Sequence, residues 1–235
     1  MNLNNWSDKI VFSSLKLIKK GHLILTNYDD EKYLFGDPSQ KLKVKIKINN
    51  IIADSIHLLY EKGYNGVGIQ EIVESANIPK GSFYAYFKNK EDYLLKSLDF
   101  FYSKMEESVL LPLEDKKTKP LSRINNFFIA EKKAIDSRKE RTSLMIGCYI
   151  GNTTQELAKE NNIIRKTVNE LLNNIDNKIY KCLEEGRNDL KNGIDIKDFS
   201  GFLLDSMHGS FLRAKAVGSV EPIERLIRIY NYHLK

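Results

Sequence analysis

Residues 63–90 read GYNGVGIQEIVESANIPKGSFYAYFKNK, from Gly63 to Lys90. Ile69, Ile72, Val73 and Ala76 stand at i, i+3, i+4 and i+7, the spacing of a single apolar helical stripe. The stripe stops at Asn77 and Ile78. Asn tolerates the left-handed backbone of a tight turn, and Pro79 suits the opening of a second helix, where its missing N–H costs nothing. In that second segment Phe83, Tyr86 and Phe87 form an inward face and leave Lys80, Ser82, Tyr84 and Ala85 outside. Two short helices joined by a turn, the second with a small, polar, basic outer face, make a helix-turn-helix. A major groove accepts such a face.

On either side the helical period continues. Upstream, Ile52, Ala53, Ile56, Leu59 and Tyr60 give one inner face, with Asn49 or Asn50 placed to cap, Asp54 in the first turn and Gly63 at the end. Downstream, Asn89 is the expected N-cap of a helix reaching about Val109, with Leu94, Leu98, Phe101 and Met105 on one side. Leu110 to Lys119, its charges bracketed by Pro112 and by Pro120 just after it, reads as a loop between helices. Further helices are expected near 121–138, 143–158, 161–187, 197–217 and 221–234. The longest carries Val168, Leu171, Leu172, Ile175, Ile179, Cys182 and Leu183 on one stripe, and the next carries Phe199, Leu203, Met207, Ser210, Phe211 and Ala214. Asn192-Gly193 and Gly218 punctuate them, and Pro222 starts the last. The fold class is all-α.

Residues 1–48 read differently. The segment HLILT, the polar turn Asn27–Glu31 and YLF suggest a hairpin closed by Gly36, Asp37 and Pro38. KLKVKIKI at 41–48 alternates polar and apolar residues strictly, which favours a half-buried strand. The domain reading is therefore a small β-containing extension over 1–48, a helix-turn-helix domain over 49–92 and a helical domain over 93–235.

The 235 residues carry a net charge of +6, consistent with an anionic partner. Between Lys43 and Lys90 seven lysines stand against four acids, so half of that excess lies in about a fifth of the chain. No apolar run approaches the ~18 residues of a membrane-spanning helix, and no signal-peptide pattern opens the chain, so no membrane partner and a cytoplasmic location are expected. Cys148 and Cys182 lie too far apart for a CxxC pair and are expected as reduced thiols. His22, His57, His208 and His233 show no ligand spacing, and no metal or cofactor is expected. The glycines of GYNGVG are out of order for a dinucleotide loop, no phosphate-binding GxxxxGK[ST] occurs, and no catalytic triad or paired carboxylate stands out. Enzymatic readings fail on these grounds.

The stretch IQEIVESANIPKGSFYAYFKNKED, with Ile51 to Lys62 and Gly63-Tyr64 before it, resembles the TetR family of bacterial transcriptional regulators through the pattern K-G-[ST]-x-Y-x-[YH]-F-x-[SN]-K-E-[DE]. GCYIGNTTQELA at 147–158 and GSFLRAKAVGSVEP at 209–222 resemble one subgroup of it. The resemblance implies an all-helical homodimer that binds double-stranded operator DNA through its N-terminal domain. It also implies a small-molecule effector and a dimer seam in the C-terminal one.

By the same resemblance Gln70, Lys80, Gly81, Ser82, Tyr84 and Ala85 face the operator, Tyr86 and Lys90 hold phosphates, and Lys47 belongs to a basic arm. Candidates for the effector cavity are Phe101, Met105, Phe128, Cys148, Tyr149, Phe202 and His208, with Cys148 a candidate sensor of electrophiles or oxidants. The seam is expected from Phe199, Leu203, Phe211, Ile223, Leu226, Ile227 and Tyr230. The functional reading is a ligand-responsive repressor. The rival is a helical ligand-binding or lipid-associated accessory protein that has lost DNA binding. A second, looser resemblance joins Gly21–Asp37, GHLILTNYDDEKYLFGD, to the N-terminal hairpin of cyclopropane-fatty-acid synthases, without any of their methyltransferase motifs.

Overall fold

The computed structural model describes residues 38–142, 147–190 and 193–233. Among them lie ten α-helices and no strand: α1 Pro38–Lys62, α2 Ile69–Ser75, α3 Lys80–Tyr86, α4 Lys90–Glu106, α5 Leu111–Glu114, α6 Pro120–Thr142, α7 Tyr149–Leu157, α8 Asn162–Glu185, α9 Ile196–Val217 and α10 Glu221–His233. The chain divides into two compact units. Of the described residues, 38–59 and 65–93 form the first, while 60–64 and those from 94 onward form the second. Five residues between the body of α1 and α2 thus belong to the second unit.

The strand expected over 41–48 is replaced by helix. The hairpin before it, with the synthase-like segment, lies outside the described residues. Once α1 is nucleated by its buried part, each residue added toward the N-terminus gains a hydrogen bond without a new nucleus, and Lys and Leu favour this. A strand would need a pairing partner, and among the described residues there is none. The strict alternation still marks exposure: Leu42 and Ile46 are each 39% exposed, while Val44 and Ile48 are half-buried one turn apart, in line with buried Ile51, Ile52 and Ser55.

In the first unit the core is aromatic. Phe83, Phe87 and Tyr93 are buried, with ring centroids 4.9 Å apart for Phe83–Phe87 and 5.1 Å for Phe87–Tyr93. Polar ties lock the helices around it. The hydroxyls of Ser55 on α1 and Tyr93 on α4 share a hydrogen bond of 2.7 Å, and Ser75 Oγ donates to the Asp54 carbonyl at 2.7 Å. Asn89 caps α4 as the sequence implies, its Oδ1 accepting from the Asp92 N–H, while the Asp92 carboxylate accepts from the Lys88 N–H.

In the second unit α6, α8, α9 and α10 pack together, with α7 against α8 and α5 against α6 and α8. The stripe of α8 buries Ile164, Val168, Leu171, Ile175, Ile179, Cys182 and Leu183. The loop after α5 is held by buried Arg123, which donates to the Thr118 carbonyl at 2.9 Å and to Glu185 at 2.8 Å. No described helix is long and apolar enough to cross a membrane.

Candidate DNA interface and regulatory core

The turn between α2 and α3 is set by Asn77, the one described non-glycine residue in the left-handed region (φ 48°), as its side-chain chemistry allows. Pro79 has φ −61° and ψ 144° and sits at the N-cap, one position before the first helical residue. Because Phe83 and Phe87 point inward, the opposite face is fixed outward: Lys80, Gly81 and Ala85 are exposed and Tyr84 is 53% exposed. Ser82 and Tyr86 are half-buried at its margins. Gln70 is exposed and donates to Glu74 Oε1 one turn along α2 at 2.8 Å. Lys47 is exposed on α1, on a helix and not on a strand-like arm. Lys90 is half-buried, and its Nζ donates to the Val67 carbonyl at 2.8 Å. It pins the loop before α2.

In the second unit Tyr60, Phe101 and Tyr149 form a three-ring cluster, with centroids 5.7 Å apart for Tyr60–Phe101, 4.9 Å for Tyr60–Tyr149 and 5.4 Å for Phe101–Tyr149. Met105 and Phe128 are buried, and Phe128 meets Tyr230 of α10 edge-on at 5.4 Å. Cys148 caps α7 and is 7% exposed, and burial, aided by the nearby Glu131 carboxyl, pushes its thiol up to about 11. His208 of α9 lies near it across Gly151, and burial, against the pull of Asp205, lowers the proton affinity of its imidazole. Glu131 on α6 was not singled out in the sequence. It is 4% exposed, and burial outweighs the pull of Arg138 to hold its carboxyl at about 7. The signal was present: Ile124, Phe127, Phe128, Glu131 and Ile135 share one core-facing register.

The family described as "Bacterial regulatory proteins, tetR family" matches residues 51–96, and "Tetracyclin repressor-like, C-terminal domain" matches residues 120–230. The chain belongs to the TetR family. Among its relatives, the HTH-type transcriptional repressor DhaR of Mycobacterium sp. (strain GP1) is 27% identical over 182 residues, covering 77% of this chain and 88% of DhaR. The fatty acid metabolism regulator protein of Bacillus subtilis (strain 168) is 30% identical over 154 residues, covering 64% of this chain and 74% of the relative. A crystal structure of the regulatory protein TetR from Rhodobacter sphaeroides, 26% identical, superposes with a TM-score of 0.69 over 78% of this chain and 96% of its own. This TetR-family chain is a DNA-binding transcriptional regulator.

Two expected groups in the TetR-family chain fall elsewhere. Phe202 does not line an interior; it is 61% exposed on α9 and stacks on half-buried Phe199 at 6.2 Å. Of the expected seam, Leu203, Phe211, Ile223 and Tyr230 are buried in the chain's own core, and Leu226 and Ile227 are half-buried. Both faces of α9 are apolar, so periodicity could not assign them. Among the described residues, the large apolar side chains left outside on α9 and α10 are Phe202, Leu212, Val217, Ile229 and Tyr232.

Proposed function

We propose that this regulator is a homodimeric repressor whose two α3 helices enter successive major grooves of a near-palindromic operator, with half-sites about 34–36 Å apart. One observation carries the reading: Phe83 and Phe87 are wholly buried while Lys80, Gly81, Tyr84 and Ala85 stand in solvent, so the helix is anchored by one face and offers the other. Lys80, Tyr86 and Lys90 supply phosphate contacts, Tyr84 and Ala85 meet base edges, and Gly81 lets the backbone approach the duplex. Ala85 offers a methyl contact to thymine and no hydrogen bond. The accessory-protein alternative is not favoured, because a chain that had lost DNA binding would have no reason to keep these aromatic anchors beneath a small polar face.

The copies associate through the exposed apolar side chains of α9 and α10, chiefly Phe202, Leu212, Ile229 and Tyr232. An effector bound in the second unit releases the operator by binding the DNA-incompetent conformer more tightly than the competent one, since equal affinity shifts nothing. α4 contributes residues to both units and carries that change. The test is capture of genomic fragments by the purified protein, followed by binding at about 50 and 200 mM salt. Specific fragments released steeply as salt rises are expected. Salt-independent or absent capture sinks the reading.

A further inference from the structure

The outward face of α9 carries Phe202, Asp205, Gly209, Leu212 and Ala216 at alternating spacings of three and four residues. All five are exposed, Phe202 by 61% and Leu212 by 51%. That spacing is the seam of a helix that lies along another helix, and it runs for about 21 Å. Arg213 flanks the seam and is exposed too. Among the described residues no ion pair within the chain engages Asp205 or Arg213.

Gly209 stands at the middle of this face. A Cβ there would meet nothing within 4 Å, and the backbone is not left-handed, so neither packing within the chain nor backbone conformation calls for glycine. Inside a helix glycine only weakens it. What the missing side chain provides is close approach for a backbone from outside the chain.

Charge selects the occupant and its direction. In a two-fold pairing every contact is made twice, residue i meeting j and j meeting i. If α9 met its copy running parallel, Asp205 would face the partner's Asp205 and Arg213 the partner's Arg213, and like charges would oppose each other. Running antiparallel, Asp205 meets the partner's Arg213 when the axis passes halfway between the two positions, which is at Gly209. The same axis sets bulky Phe202 against the partner's Ala216. Charge, bulk and backbone space thus agree on one register.

We propose that α9 pairs antiparallel with α9 of a second copy about a two-fold axis at Gly209, and that the two Asp205–Arg213 cross-pairs fix this register and decide which chains can dimerise with it. This deepens, and rests on, the reading of the protein as a homodimer.

The experiment uses the full chain and charge reversal. Asp205→Arg makes both cross-pairs like-charged, as does Arg213→Asp, so each variant alone should dimerise about tenfold or more weakly in sedimentation equilibrium. Mixing the two variants restores both opposite-charge pairs. With one of them mass-tagged, native mass spectrometry should show the mixed dimer at about nine-tenths of all dimers, where random pairing gives about half. Gly209→Leu meets no neighbour in its own chain, so it should keep its helical circular dichroism while its dimer weakens about tenfold or more. Charge variants that dimerise as tightly as the parent, a random share of mixed dimer, or an undisturbed Gly209→Leu dimer overturns this register and leaves the homodimer reading standing. A parent chain that sediments as a monomer at about 10 μM defeats the homodimer reading, and the register with it.

Discussion

The Glu156 carboxylate on α7 accepts the backbone N–H of Tyr64 at 2.8 Å, and the same oxygen lies 2.8 Å from where a Cβ on Gly63 would stand. Gly63 itself is left-handed, with φ 74°. The turn that leaves α1 is therefore conformationally reserved for glycine, a side chain there would have to push the Glu156 carboxylate aside, and the turn is tied to a helix that is capped by Cys148 and passes His208 at Gly151. Gly63→Ala adds left-handed strain of about 1 kcal/mol and displaces the carboxylate, so a drop of about 2–3 kcal/mol in chemical denaturation is expected. Glu156→Ala leaves the turn's glycine intact. It should lower stability less, by about 1–2 kcal/mol, and flatten the change in operator affinity on adding effector. An unchanged effector response in Glu156→Ala shows that the Glu156–Tyr64 contact takes no part in release.

The helix-turn-helix was legible because each part depends on a residue with few alternatives: Asn77 for the left-handed turn, Asn89 for the cap, Phe83 and Phe87 for the buried face. The N-terminal extent of α1 was not, because a two-residue alternation describes side chains and says nothing about whether a partner strand exists. Leu203 and Phe202 show another limit. Adjacent apolar residues on one helix face opposite ways, and only the packing of α8 and α10 against α9 decides which is interior. Glu131 hid for a third reason, since an acid in a helix rich in Lys and Glu reads as solvated unless its register is followed.

Glu131 makes stability depend on pH in an unusual sense for a carboxylate. Its folded value of about 7 lies above the ordinary 4.5, so the folded state holds the proton more tightly. That contribution is fully present below about pH 4.5 and is lost as pH rises through about 7. Arg138 on the same helix and Cys148 at the N-cap of α7 are the charged or titratable groups that act with it. Glu131→Gln should therefore be more stable than the parent at about pH 8, by up to about 3 kcal/mol, with the difference shrinking toward about pH 5. Paired thermal melts at the two pH values measure it, and a difference that does not vary with pH rejects it.

Cys148 is poorly placed as a sensor in this conformation. A thiol held at about 11 is ionised to roughly one part in ten thousand at neutral pH. Labelling of the folded protein by a disulfide reagent should be slow and should accelerate with denaturant, and Cys148→Ser should keep its release by effector. Fast labelling of the native state, abolished in Cys148→Ser, restores the electrophile reading.

Phe202, at 61% exposure, has no reason to be apolar in an isolated protomer. Phe202→Glu changes nothing in the protomer's own core but places a charge in the proposed seam. Sedimentation should shift from dimer to monomer at micromolar concentration, and operator affinity should fall by about a hundredfold or more because two half-sites are no longer bound together. Leu203→Ala, one residue away and 2% exposed, should instead cost about 2–4 kcal/mol of folding stability.

Lys80 and Tyr84 lie on one exposed face of α3 but differ in what they read. A lysine on a phosphate contributes charge without sequence information, so Lys80→Ala should weaken all DNA alike. It should also reduce the slope of log affinity against log salt by about 1 for each half-site. Tyr84 carries no charge, so Tyr84→Ala should leave the slope unchanged while cutting the ratio of operator to non-specific affinity, by about 1–3 kcal/mol for each base edge it no longer reads. Measuring both variants on the captured fragment and on a scrambled duplex separates the roles. If Lys80→Ala altered the specificity ratio and left the salt slope alone, the lysine would be a base reader, and α3 would lie in the groove in a different rotation from the one set by Phe83 and Phe87.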